Sequence, residues 1–479
     1  MTSGRAGAAV LIVAMTATAC GGGGSSPPAD DATNPAPPPI QSPPPPPPPS
    51  PASGWGPQTR IGALLNQFFY DLYSAHIALN DTGVAIAVWQ EHTDTNDRVW
   101  ASRYSGGSWS VAQSIGMDHS AEPRIAIDAS GRAVAAWDEI GSDGVGITSR
   151  TVWVAHHDGS QWSVPQRISA APVADYEFYA FAPVVGMDAN GNATVAWLQD
   201  DPDPSTARSV WAARFQGGSW SAPQLLSRAD RNSQQVQLAM NAVGEALLAW
   251  TQEVNAFDPS QPASSVTSHV WVRRYHGGTW ESAQQLDDSD AALGESVGRV
   301  SIALNSSGQA VSVWEQSRHP NYSMAASVFD ANSWAAPVRL DSAPTPPWFP
   351  AAAIDPSGNA AAAWTQADGT RDDGWFTRYD AVSRSWTPAQ LFESSDVDGS
   401  EPNVGMNAAG DTILVWEQAG IRARRYGAAS GWEPEALIGS GFDLSLAVNS
   451  AGHAAVVSNR NTFSSTAFEY AAWAIVFTP

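Results

Sequence analysis

Carboxylates and side-chain amides recur just after one tryptophan position along this chain: Gln90-Glu91, Asp138-Glu139, Gln199-Asp200-Asp201, Gln252-Glu253, Glu315-Gln316, Gln366 and Glu417-Gln418. Hydrolysis of a glycosidic bond needs two carboxylates about 5–10 Å apart across a sugar. Many pairs could be drawn here, and spacing does not choose among them. Aromatic residues gather in three other stretches: Phe68, Phe69, Tyr70 and Tyr73; Tyr176, Phe178, Tyr179 and Phe181; Trp348 and Phe349. Acid beside aromatic suits a carbohydrate or a protein groove. The structural alternative is that the acids cap strand ends and the aromatics fill a channel mouth. The candidates for ligand contact are therefore Glu91, Asp138, Glu139, Glu253, Glu315 and Glu417 with Phe69, Tyr70, Tyr73, Tyr176, Tyr179 and Trp348. Arg124 and Arg299 join them as the arginines at the starts of innermost strands.

Metal chemistry has a thinner basis. Asp396, Asp398 and Glu401 offer oxygen ligands dense enough for Ca²⁺, but without the full EF-hand loop. The nine histidines show no ligand spacing, and the single cysteine, Cys20, allows neither an intrachain disulfide nor a cysteine-based metal site. No glycine-rich phosphate loop and no Ser-His-Asp set is present, and no other cofactor is expected.

These residues sit on a repeated frame. Ile77-Ala78-Leu79-Asn80, Gly83 and Trp89 define a unit that returns at Asp128, Gly131 and Trp137, and then at Asp188, Asn241, Asn305, Asp355, Asn407 and Asn449. The step from Asx to Gly is always three residues, and from Gly to the Trp position always six, with Ser458 in the eighth copy. Asx opening and Gly closing a tight turn predicts a hairpin in which the glycine takes positive φ. Two residues before each Asx stands Ala or Gly, which marks a strand packed where space is scarce. A second hairpin follows, ending at an outer Trp such as Trp109, Trp162 or Trp220. Of the 22 tryptophans, all but Trp348 fall on three repeat positions, which reads as core rather than as a sugar-binding array.

Four antiparallel strands every 50 residues or so predict the blades of an all-β, eight-bladed β-propeller over 54–479. The eighth repeat stops after its third strand, while Trp55-Gly-Pro-Gln-Thr-Arg-Ile61 matches Trp162-Ser-Val-Pro-Gln-Arg-Ile168. The N-terminal segment is thus expected beside the strand of Trp473, completing the last blade and removing two open edges. The first loop of each repeat is constant and the third nearly so. The second is short from Trp416 to Ile421 and long from Trp250 to Val270, so length variation collects on one face, where binding usually lives on a rigid scaffold.

Residues 1–19 carry one arginine, an apolar run over Ala8–Ala14 and then Ala17-Thr18-Ala19-Cys20. This resembles a bacterial lipoprotein signal, although that family usually has Leu where Ala17 stands. The resemblance implies export, lipidation of Cys20 as the new N-terminus and, with Gly21 next, outer-membrane placement in a Gram-negative cell. Residues 20–53 are a Gly/Ser/Pro-rich linker with seven prolines at Pro43–Pro49. Such a run favours polyproline II at ~3.1 Å per residue and acts as a spacer. The net charge is −23 and every cation is an arginine, which disfavours nucleic acid.

The Gly-Gly-Ser-Trp109 turn loosely resembles the Asp-box of sialidase-like propellers, but the Asp and its spacing are absent. That class has six blades and an arginine triad with a Tyr and acids, so no catalytic residue is carried over. Ala78-Leu79-Asn80, Gly83 and Trp89 have a similar flavour to the eight-bladed quinoprotein-type propellers and the outer-membrane assembly lipoprotein related to them. The expectation is a membrane-anchored extracytoplasmic module that binds protein or glycan. The alternatives are a sialidase-like glycan-acting enzyme and an envelope-assembly scaffold.

Overall fold

A computed structural model describes residues 54–479, except 64, 67–73, 93–96, 143–147, 171–177, 201–206, 256–266, 291–292, 319–320, 331, 342–344, 368–370, 395–397 and 464–467. Cys20, the apolar leader and the proline-rich linker lie outside the described residues, as do Phe69, Tyr70, Tyr73, Tyr176 and Asp396. The chain divides into two units, and the described residues belong to the second, 49–479.

The turns form for the reason their sequence predicts. In the first repeat the Asn80 N–H donates to Val84 O (3.0 Å) and the Gly83 N–H to Asn80 O (3.1 Å). Asn80 Oδ1 accepts from the backbone of Thr82 and Val84 at 3.1 and 3.0 Å, and Gly83 takes a φ of 80° that a side chain would disfavour. Four of the five asparagines then reach across repeats, while Asn407 donates to Asp411 in its own turn (3.2 Å). Asn80 Nδ2 donates to Asp128 O in the second repeat (3.0 Å), Asn241 to Asn305 O (3.0 Å) and Asn305 to Asp355 O (2.9 Å). Asn449 donates to Asn80 O at 3.1 Å, from the eighth repeat to the first. An aspartate has no such hydrogen. Asp128, Asp188 and Asp355 instead accept on Oδ2 from Arg132, Asn192 and Asn359 within their own turns.

Each hairpin grows into an antiparallel sheet. In the fourth repeat Ser233–Met240 pairs with Ala246–Glu253, which pairs with Ser268–His276. The described residues form six five-stranded sheets and one of nine strands, with no α-helix. In the nine-stranded sheet the second and third repeats are joined by a parallel pair, Ser149 opposite Phe178 and Arg150 opposite Tyr179. The expected outer strand is split into two short pieces, such as Thr279–Trp280 and Gln284–Gln285. In several repeats a proline without an N–H stands in the gap, as at Pro165, Pro223 and Pro337. Thr59–Arg60 lies antiparallel to Phe468–Phe477, with Thr59 opposite Ala474 and Arg60 opposite Trp473.

Packing occurs face to face between consecutive repeats. Val134, Ala136 and Val152 of the second share a core with Val195 and Trp197 of the third. Ile77, Ala87 and Trp89 of the first share one with Ala455, Val457 and Ala472 of the eighth. The tryptophans at 89, 137, 197, 250, 314, 364 and 416 are fully buried. Inner positions leave little room: a Cβ on Gly186 would meet Met240 Cβ at 2.6 Å. Volume is also traded within a sheet. Where other repeats pair Val99 or Val152 with Ile115 or Ile168, the sixth sets Gly374 directly against the ring of Phe392.

Candidate functional site

The innermost strands carry an irregularity at their starts. Register slips between Ala121 and Arg124, Phe181 and Val184, Gln234 and Gln237, Trp348 and Ala351, Ser400 and Asn403, and Phe442 and Ser445. In these six the first extra residue is left-handed although it is not glycine: Glu122, Ala182, Gln235, Phe349, Glu401 and Asp443 have φ of 51–56°, whereas the fifth repeat slips between Val297 and Val300 with Gly298 there and no positive φ. Bulges re-aim side chains and often border functional sites, and non-glycine residues held left-handed store strain that the surrounding structure must sustain. This row lies at the end of the sheets that carries the second loops and the inter-repeat links.

Beside it the innermost strands of four successive repeats enclose a pocket of about 430 Å³. Its walls include His76, Arg124, Pro183, Arg208, Gln235 and Gln237. Arg124 donates from Nη1 to Pro123 O (3.1 Å) and has no ion-pair partner among the described residues. The two nearby acids are taken: Glu122 and the fully buried Asp138 both pair with Arg150. Burial pushes Asp138 up, against the opposing pull of Arg150. Arg150 and Arg208 both lie over the Phe181 ring, at 5.4 and 4.7 Å from its centroid, and Arg208 is held by Asp200 (2.9 Å). His76 is pushed down to about 3, first by burial and then by Arg124, and its Nδ1 is buried without a partner.

A second group stands on the seventh and eighth repeats. Glu401 and Asp443 occupy adjacent bulges, and Glu417 pairs with Ser400, next to Glu401. Burial and then Glu401 push Glu417 up to about 7. Burial raises Asp443 to about 6 against a hydrogen bond from Asn459. A protonated carboxyl beside a carboxylate is the arrangement that acid–base chemistry uses near neutral pH.

Several expected contact residues are engaged inside the fold. Glu91 accepts the Trp89 indole N–H (2.8 Å) and the Ala63 N–H (3.1 Å). The same place is filled by Gln199, Gln366 and Gln418, each accepting from its own tryptophan. Glu315 accepts from the backbone of Arg299 and Phe349, both at 3.1 Å, and Arg299 lies over the Phe349 ring at 4.5 Å. Glu253 accepts from Asn232 (3.1 Å). Glu139 is half-buried with a partnerless Oε2, and burial raises its carboxyl. Tyr179 and Trp348 are half-buried on innermost strands. Asp398 is exposed and accepts from the Asp372 N–H (3.2 Å). No group of three or more potential ligands is set to hold a metal among the described residues.

The site residues not foreseen are His76, Gln235, Gln237 and Asp443. A signal was available: prolines 123, 183, 350 and 402 each stand five residues before an Asx, where an innermost strand cannot donate to its neighbour. No described helix is long and apolar enough to cross a membrane.

Comparison with protein families and with curated proteins yields no match. Among solved structures the chain is similar to an ulvan lyase, a polysaccharide lyase, at 9% identity and a TM-score of 0.47, covering 78% of this chain and 94% of that one. It is similar to an α-L-arabinofuranosidase of Fusarium graminearum at 10% identity and a TM-score of 0.42, covering 76% and 94%. It is also similar to a protein of unknown function from Dyadobacter fermentans at 16% identity and a TM-score of 0.41, covering 63% and 95%.

Proposed function

We propose that this chain is an exported lipoprotein, anchored through Cys20, whose repeats close into an eight-bladed propeller that binds a protein or glycan ligand at one mouth of its axis. The closed ring is supported by the Asn449–Asn80 hydrogen bond, the pairing of Thr59–Arg60 with the last strand and the core shared by the eighth and first repeats. The observation that carries the binding reading is the pocket at the innermost strands, lined by the unpartnered His76 Nδ1 of one repeat and by Arg124 of the next, which has no ion pair among the described residues. Pockets of ~300–1,000 Å³ with a few convergent polar groups are the usual form of small-ligand sites. The full-length protein in detergent, applied to arrays of glycans and of envelope proteins, tests this: saturable binding that is lost on filling the pocket with Ala182→Trp supports it. Binding that survives that change places the ligand elsewhere.

A second reading, a glycan-acting enzyme, has its own observation in Glu417, Glu401 and Asp443. Turnover of fluorogenic glycosides or of an acidic polysaccharide, abolished by Glu417→Gln, would favour it over the binding module.

A further inference from the structure

The Arg124 guanidinium lines the pocket half-buried, with no ion-pair partner among the described residues. A cation drawn partly out of water normally brings a carboxylate with it, because an ion pair restores what the lost hydration supplied. Here the acids that could serve, Glu122 and Asp138, are committed to Arg150, which reaches both. Beside Arg124, His76 is neutral and its buried Nδ1 has no partner. Among the described residues, the Arg124 guanidinium beyond its bond to Pro123 O and the His76 Nδ1 are thus both open to an anion or a hydroxyl in one pocket. From the other side the fourth repeat presents Gln234, Gln235 and Gln237, three exposed amides in four residues.

Resting on the reading of this mouth as a binding site, we infer that the Arg124 pocket recognises an acidic sugar, with the sugar carboxylate on the Arg124 guanidinium and its hydroxyls on the glutamine wall. A planar fork of N–H donors matches a carboxylate in two parallel hydrogen bonds. Amides both donate and accept, as sugar hydroxyls do, so one wall can serve several ring hydroxyls at once. Pro183, Val184 and Val236 offer an apolar surface for the C–H face of a ring. The residues that would hold the ligand come from several strands of a rigid scaffold, which favours one ring in one orientation over an extended chain.

Calorimetric titration of the full-length protein in detergent, with galacturonate and glucuronate oligomers against galactose and glucose oligomers, tests this. The acidic sugars are expected to bind at least tenfold more tightly. Arg124→Met should remove about 30-fold of that affinity, the value of a charge-assisted pair, while the melting temperature stays nearly level because no ion pair is broken. Equal binding of acidic and neutral sugars would overturn the inference and leave the binding propeller intact. Binding of neither, together with an empty glycan and protein array, would overturn both. Acetate or inorganic phosphate matching the acidic sugars would overturn the sugar assignment. Should Arg124→Met fail to fold, the Gln235→Ala, Gln237→Ala double variant takes its place: weakened acidic-sugar binding supports the inference and unchanged binding overturns it.

Discussion

Asn449 donates its side-chain amide hydrogen to the main-chain carbonyl of Asn80, 3.1 Å away and 369 residues earlier in the chain. Its Oδ1 is occupied by its own turn, accepting from Ala451 and His453 at 3.1 and 2.9 Å. Asn449→Asp therefore keeps the turn and replaces one donor by an acceptor facing an acceptor. A loss of about 2–3 kcal/mol is expected, from the missing bond and the repulsion left behind. Denaturant unfolding measures it, and a neutral result would mean that this contact does not hold the eighth repeat to the first.

The repeats themselves propose a stabilising change. Glu91 does with a buried carboxylate what Gln199, Gln366 and Gln418 do with a carbonyl, and its burial raises the carboxyl against the hydrogen bonds it receives. Glu91→Gln should keep the bond from Trp89 and remove a charge that burial penalises, raising stability at pH 7 by about 0.5–1 kcal/mol. Thermal melts at pH 5 and pH 8 should show the larger gain at the higher pH.

Two groups give the fold opposite responses to pH. Glu417, raised to about 7, binds its proton more tightly folded than unfolded; its contribution is complete below the ordinary glutamate range and is lost as the pH rises through about 7. Glu417→Gln should therefore be more stable than the parent at pH 8 by about 1–2 kcal/mol, after allowance for partial exposure, and little changed at pH 4.5. His76, pushed down to about 3 from 6.5, contributes above pH 6.5 and loses that contribution as the pH falls toward 3. His76→Asn should flatten the acid side of the stability profile and leave the alkaline side alone. Unfolding midpoints between pH 4 and pH 9 test both.

Size complementarity in the sixth repeat makes a two-step test. Gly374→Val, which installs the residue found at Val99 and Val152, drives a side chain into the Phe392 ring and should cost about 1–3 kcal/mol. Adding Phe392→Leu restores the pairing of the other repeats and should recover most of the loss. A double variant no better than the single one would show that the strain lies in the backbone instead.

What could be read from the sequence was whatever each repeat does alone. The Asx–Gly step predicts the hairpin turns, and all eight glycines take positive φ. The inner Trp predicts the core, and seven of these rings are fully buried. What could not be read was how repeats trade partners. Nor does spacing show that, within the second repeat, Arg150 takes both Glu122 and Asp138 and leaves Arg124 without an ion pair among the described residues. That Asn80 reaches across repeats, as Asp128 has no hydrogen to do, while Asn407 keeps its amide on Asp411 in its own turn, is likewise nothing that spacing registers. The bulges lie ahead of the Asx and leave the count from Asx to Trp unchanged, so only the prolines at 123, 183, 350 and 402 mark them in the sequence.

Where the chain enters the fold has a mechanical meaning. The Thr478 N–H bonds to Gly54 O (2.9 Å), and Trp55 and Phe477 lie with ring centroids 5.0 Å apart. A few residues on, Thr59–Arg60 pairs over two residues, and Ile61 enters the core between the eighth and first repeats. Any tension along the polypeptide ahead of Gly54 is delivered to that short seam before it reaches a full-length strand. A pull applied at Gly54 would therefore part this short seam first, and the sheets on either side would keep their pairing as it gave way.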